Sequence, residues 1–153
     1  MNWDKLTIKA KEDIADAQKR AEANRNQMIE NEHLLYGLVS QKEGIAKPIL
    51  DKLGANTNYI MNDLEREFKK LPQIEGAAQV YISPHLKQAI DIAFNEAERL
   101  KDEYVSTEHL LIGITDVNES PAARILKGYG VTKDKIYIGN AYKEMLCTYI
   151  FVL

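Results

Sequence analysis

Apolar residues recur along this chain at helical rather than strand spacing. Ala10, Ile14, Ala17 and Ala21 fall on one helix face, and so do Leu86, Ile90, Ala93 and Ala97, with Leu100 extending the row. Ile60, Leu64, Phe68 and Leu71 make a third stripe. Leu34, Leu35, Leu38 and Val39, and then Leu110, Leu111 and Ile114, bury one side of two shorter helices. Start and stop signals frame these stretches. Ser83–Pro84 and Ser120–Pro121 each offer a side-chain cap followed by proline, which needs no N–H at the first helical position. Gly54 in one place, and Gly128 or Gly130 in another, stand just past a helix. A further helix follows Asn56 or Thr57, and a weaker one follows Thr132, because Gly139 interrupts it.

The pattern is written twice. Shifting the chain by 76 positions brings Ile14 onto Ile90, Ala17 onto Ala93, Ala21 onto Ala97 and Ile60 onto Ile136. The same shift lays Glu32, His33, Leu34, Leu35 and Gly37 on Glu108, His109, Leu110, Leu111 and Gly113, and Ala46, Ile49, Leu50 and Gly54 on Ala122, Ile125, Leu126 and Gly130. One register without a gap indicates a duplicated unit with a pseudo-twofold relation. The expected fold is all-α: a four-helix repeat present twice, about eight helices, in one domain over residues 1–146. Repeat 1 covers about 5–71, a linker rich in Pro, Gly and small residues covers 72–82, and repeat 2 covers about 83–146. A four-helix unit of this size buries little core by itself, so the halves are expected to share one.

The phrase Glu-His-Leu-Leu-x-Gly opens the second helix of each half. Asn31 and Thr107 are expected caps, which puts Glu32 and Glu108 in the first turn, where the helix dipole favours a carboxylate by roughly 0.3–1 kcal/mol. Gly37 and Gly113, inside helices, point to close helix contact, expected where the two halves meet. Catalytic readings find little support. A His-Glu-x-x-His zinc motif and a Gly-x-x-x-x-Gly-Lys-Ser/Thr phosphate loop are both absent, and His85 is the only histidine outside the repeated phrase. No metal ligand, catalytic residue or cofactor is assigned, and the histidines receive no chemical role.

Composition narrows the class. The 153 residues are 45% hydrophobic and 28% charged, with a net charge of -3. No Lys/Arg cluster offers a basic face for nucleic acid, and no apolar run approaches the roughly 20 residues of a membrane span. The start does not resemble a signal peptide, and the single Cys147 excludes an internal disulfide. A cytoplasmic protein is expected. Residues 147–153, CTYIFVL, carry no charge and form an atypical apolar tail, an aggregation hazard if exposed.

The doubled EHLL phrase, the paired ILDKLG and ILKGYG, and the opening LTIKAKEDIADAQKRA together resemble the Clp N-terminal domain, which precedes the ATPase modules of Clp/Hsp100 unfoldases. The resemblance covers roughly residues 3–146, and LPQIEG resembles the ClpB disaggregase branch. It implies a non-catalytic domain that engages unfolded or aggregated polypeptide for the pore of a homohexamer. ATP and Mg would be bound by the ATPase modules, a DnaK-type chaperone system would be a partner, and the isolated domain would be a monomer. The family's substrate-contacting positions match Thr7, Asp102 and Glu108, with groove positions at Ile90, Ile92 and the start of the repeated helix, including Leu110. Other readings of these residues remain open: Thr7 as a helix cap, Asp102 as a solvated turn residue, Ile90 as core. Glu96 and His109 stand where the branch often has apolar residues. The segments EHLLYGLVSQKEGIA and YVSTEHLL are similar to ClpC, and that alternative implies adaptor or phosphoarginine recognition by the pair Glu32 and Glu108. A third reading is a free-standing adaptor. The chain ends before any ATPase module, as an excised part or truncated copy of a longer unfoldase would.

Overall fold

The computed structural model describes residues 2–76 and 79–139. Eight α-helices follow a short 3-10 turn at Trp3–Lys5: α1 Ile8–Ala23, α2 Asn31–Ser40, α3 Ala46–Lys52, α4 Thr57–Phe68, α5 Pro84–Arg99, α6 Thr107–Asp116, α7 Pro121–Gly128, and α8 over 133–139. The order of the first four is repeated by the second four. Nearly all-α architecture is therefore observed, and residues 147–153 lie outside the described residues.

Local chemistry sets the boundaries. Thr7, Ser83 and Ser120 cap α1, α5 and α7 through their hydroxyls, and Asn56 caps α4 through its amide oxygen. Arg25 and Lys101 end α1 and α5 in the left-handed region at φ 58° and 59°, and they are the same position in the two halves. Gly130, at φ 78°, is the left-handed stop after α7, the counterpart of Gly54 at 76°. Asn31 and Thr107 do not cap their helices. The caps fall one residue earlier, at Glu30 and Ser106.

Helices α2 and α6 lie at the centre and pack on each other. Leu34, Leu35 and Leu38 from α2, Leu110, Leu111 and Ile112 from α6, and Ile49, Leu50, Ile60, Leu64, Leu86 and Ile90 around them are fully buried in one cluster spanning both halves. The stripe on α1 differs from the expected one. Asp13 replaces Ile14 among the buried positions, alongside Ala10, Ala17 and Ala21.

Two short ladders, which helical periodicity does not reveal, tie the halves together. β1 (Met28–Ile29) pairs in parallel with β2 (Tyr81–Ile82), so the linker is fastened to the first half. By the same geometry Leu6 pairs with Val105, with Thr7 N–H donating to Val105 O at 2.9 Å and Val105 N–H to Lys5 O at 2.8 Å. Each half's leading segment is thus held by the other half. The two glycines at matching positions of the repeat serve contacts within a half: Gly113 packs on the α5 backbone at Ala89, and Gly37 on the α1 backbone at Asp13. This corrects their expected place between the halves.

Candidate functional site: a groove at the start of α6

The starts of α1 and α6 meet at the Leu6–Val105 pairing, and a depression of about 320 Å³ opens beside it. Thr7, Ile8 and Lys9 form one wall, Ser106, Thr107 and Glu108 the other, and Glu43, Gly44 and Ile45 the end before α3. A second depression of about 300 Å³ shares Ser106 and Glu108 and continues past Leu100, Asp102, Glu103, Tyr104, His109 and Ile112. Ile8 is 77% exposed, and Leu100 and Tyr104 are also open to solvent. The result is a shallow track, apolar in the first depression and of mixed polarity in the second, with a carboxylate rim.

Of the expected contact residues, Thr7, Asp102 and Glu108 line these depressions. Thr7 is both cap and wall: its Oγ1 accepts the Ala10 N–H at 3.1 Å. Asp102 is not merely solvated, since its Oδ2 accepts from His109 Nε2 at 2.8 Å. The apolar assignments need correction. Ile90 is 0% and Leu110 1% exposed, because both point into the shared core. Ile92 packs half-buried against that core and lines neither depression. The apolar walls come instead from Ile8, Ile45, Leu100 and Tyr104. Ile8 carried a sequence signal: it is apolar but off the buried stripe of α1.

The two glutamates of the repeated phrase part company. Glu32 is only 2% exposed, and its Oε1 accepts the Ala122 N–H at 3.1 Å. With Ser120 Oγ accepting from Ala123, it completes the N-terminal turn of α7, whose first residue, Pro121, has no N–H to satisfy. Burial pushes the Glu32 carboxyl up to about 7, against the Ala122 bond and with help from Glu30 and Glu67. Its twofold counterpart Glu108 makes no such bond and stands half-exposed beside Gly44 and Ile45, where α3 begins without a side-chain cap. The expected acidic pair is therefore a single open carboxylate.

The histidines do have a role. The N-cap N–H of each helix donates to a histidine Nδ1, Glu30 to His33 at 2.9 Å and Ser106 to His109 at 3.0 Å. This leaves Nε2–H to donate, to Asn26 Oδ1 at 2.9 Å in the first half and to Asp102 in the second. Ser106 Oγ also reaches His109 Nδ1 at 2.9 Å, giving an Asp–His–Ser chain with the connectivity of a hydrolytic relay. The twofold counterpart Asn26–His33–Glu30 has the same layout with an amide in place of the Asp102 carboxylate and a carboxylate in place of the Ser106 hydroxyl, which assigns the arrangement to helix capping. His109→Leu should cost about 1 kcal/mol in urea unfolding while His109→Gln, which keeps an acceptor there, costs less; equal losses would count against the capping role.

Glu96 does not make the groove polar. It is buried under α8, where Lys133 (2.6 Å), Arg99 (2.9 Å) and the Tyr137 hydroxyl donate to it. Burial would raise its pKa, but these bonds outweigh that and hold it down to about 2.

The Clp repeat (R) N-terminal domain family matches residues 5–129. This chain belongs to that family. Among relatives, the ClpB chaperone of Rhodopirellula baltica is 37% identical over 133 residues, 87% of this chain. The ClpC/MecB regulator of genetic competence in Bacillus subtilis is 33% identical over 135 residues, 88% of this chain. This Clp N domain spans only 15% and 16% of the length of those two proteins. The solved N-terminal domain of Hsp104 from Candida albicans superposes with a TM-score of 0.76 at 19% identity, covering 88% of this chain and 87% of that one. A ClpV N-domain solved with a VipB peptide gives 0.65 at 14% identity, covering 82% and 79%. Both are likenesses of fold. Among the described residues no helix is long and apolar enough to cross a membrane.

Proposed function

We propose that this Clp N domain is the client-engaging part of a ClpB-type disaggregase, holding extended segments of unfolded or aggregated polypeptide in the groove at the start of α6. The reading rests on one observation. Thr7, Asp102 and Glu108, from three separate segments, line two adjoining depressions that share Ser106 and Glu108, the one beside Thr7 apolar and the one beside Asp102 mixed. A track of this kind suits segments that carry apolar side chains and unpaired backbone groups, and it favours weak, sequence-tolerant binding. The domain itself is read as non-catalytic, passing its client to ATPase modules that bind ATP and Mg in a homohexamer. The 37% identity to a ClpB supports this branch, and the ClpV–peptide complex shows a peptide on a domain of the same fold.

Ile8→Glu should weaken binding of unfolded casein about tenfold, since one buried isoleucine is worth roughly 1.5–3 kcal/mol. Glu108→Ala should weaken it less, and Glu32→Gln not at all. Anisotropy titrations measure this; unchanged binding by Ile8→Glu sinks the groove assignment. The runner-up is a ClpC-type domain recognising an adaptor or phosphoarginine, favoured by the 33% identity to ClpC/MecB. Saturable phosphoarginine binding lost in Glu108→Ala would establish it over the ClpB-type reading.

A further inference from the structure

Asp13 occupies the position that Ala89 holds in the second half, on the stripe of α1 that packs against α2 and α6. Its side chain is fully buried. Oδ2 accepts the Thr107 hydroxyl at 2.7 Å across the seam between the halves, while Oδ1 has no hydrogen-bond partner among the described residues. Thr107 is itself a wall of the groove, between Ser106 and Glu108, and Thr7 and Ile8 begin the same helix that carries Asp13. The groove is the mouth of the α1–α6 seam, and the Asp13–Thr107 bond lies behind it.

The groups facing Asp13 are Lys9, Glu12 and Asp16 from its own helix, the Gly37 segment of α2, and Thr107 of α6, with Glu108 next in line at the groove. Burial pushes the Asp13 carboxyl up to about 7. The Thr107 bond and Lys9 oppose the rise, and Asp16 and Glu12 add to it.

We propose that Asp13 is a positioning residue of this groove, holding α6 against α1 through Thr107 while its carboxyl is neutral and loosening the seam when it ionises. A neutral acid with one hydrogen-bonded oxygen is tolerated in a dry seam. A carboxylate with a bare oxygen there is not, and it draws in water. Water at Oδ1 parts α1 from α6 where Thr7, Ile8 and Thr107 form the walls. The groove is shaped below neutrality and relaxed above it. The seam belongs to the fold, but its effect on a client rests on the groove being the client site.

The test uses an N-acetylated, rhodamine-labelled peptide of apolar and amide residues, which has no group titrating between pH 6 and 8. A single proton that closes the seam and titrates near 7 changes the closed population about tenfold over that range. The native chain should therefore bind about tenfold more weakly at pH 8 than at pH 6. Asp13→Asn should bind equally at both, near the native value at pH 6. Asp13→Ala, which installs the residue the second half already uses, should also lose the pH dependence. Glu32→Gln should keep it. A native profile that is flat, or one that persists in both Asp13 variants, overturns the proposal. If no peptide binds at any pH, the client reading fails, and hydrogen exchange at 7–10 and 106–110 decides the seam alone. Faster exchange at pH 8, after correction for intrinsic rates and absent in Asp13→Asn, supports the proposal; identical protection overturns it.

Discussion

Gly113→Ala lowers the stability of this domain by about 2–3 kcal/mol, the cost of forcing a methyl into a filled space. A Cβ at Gly113 would lie 2.1 Å from the carbonyl oxygen of Ala89, a backbone atom that cannot swing aside, so α5 and α6 must separate. Gly37 makes the milder contact, 3.2 Å to the Asp13 carbonyl oxygen. There the strain is offset by the roughly 1 kcal/mol that alanine gains over glycine inside a helix. Thermal unfolding should show Gly113→Ala melting several degrees lower, about 2–4 °C per kcal/mol at this size, with Gly37→Ala close to the native chain. Equal melting temperatures for the two variants would refute the asymmetry.

Stability should also be lower at pH 8 than at pH 5, by about 3 kcal/mol. Asp13 and Glu32 titrate at about 7 in the folded chain, above their ordinary values of 3.8 and 4.5. Between those limits the folded state binds more protons than the unfolded state. Each group therefore withdraws stability as pH rises toward 7 and contributes no further change above it. His33 acts in the opposite sense. Burial, with Arg20 nearby, lowers it from 6.5 to about 4, so its support is complete above 6.5 and is lost as pH falls. Glu96, at about 2, contributes above 4.5 and loses that only toward strong acid. Two falling contributions outweigh one rising one. Urea titrations at the two pH values measure the difference. The double variant Asp13→Asn/Glu32→Gln should reverse it, leaving His33 to make pH 8 the more stable condition. A native chain more stable at pH 8 would contradict the balance.

What the sequence made readable was whatever is local or repeated. The 76-residue shift, the Ser-Pro starts and the left-handed glycines depend on neighbours within a turn, so they could be placed without coordinates. Long-range polar partners could not. Glu32 sits at the same step of its helix as Glu108, yet it reaches the N-terminus of α7, 90 residues away, while Glu108 remains open at the groove. Asp13 carries no signal in the sequence that marks it as buried. Ile14 looked like the better core residue because period alone cannot set the phase of a stripe within one position. The caps slipped by one for a related reason: Glu30–Asn31 and Ser106–Thr107 each offer two consecutive polar residues, and the histidine three residues on, which decides between them, is not an expected partner at that position. Leu110 is buried because α6, which brings Glu108 to the surface, turns its leucines to the opposite side, and Ile90 is buried on the stripe of α5 that also holds Leu86, Ala93 and Ala97.

The exchanged leading segments also govern how the chain can fold. Pairing Leu6 with Val105 closes a loop of about a hundred residues, among the longest-range contacts in a domain otherwise built from neighbouring helices. Its reciprocal, Ile29 with Ile82, joins the first half to the linker leading into the second. Emerging from a ribosome, the first four helices could form early, but the strand position beside Leu6 stays empty until Val105 has been synthesised. The groove at that seam is therefore among the last features to be completed, and the two repeats reach the native state as one cooperative unit.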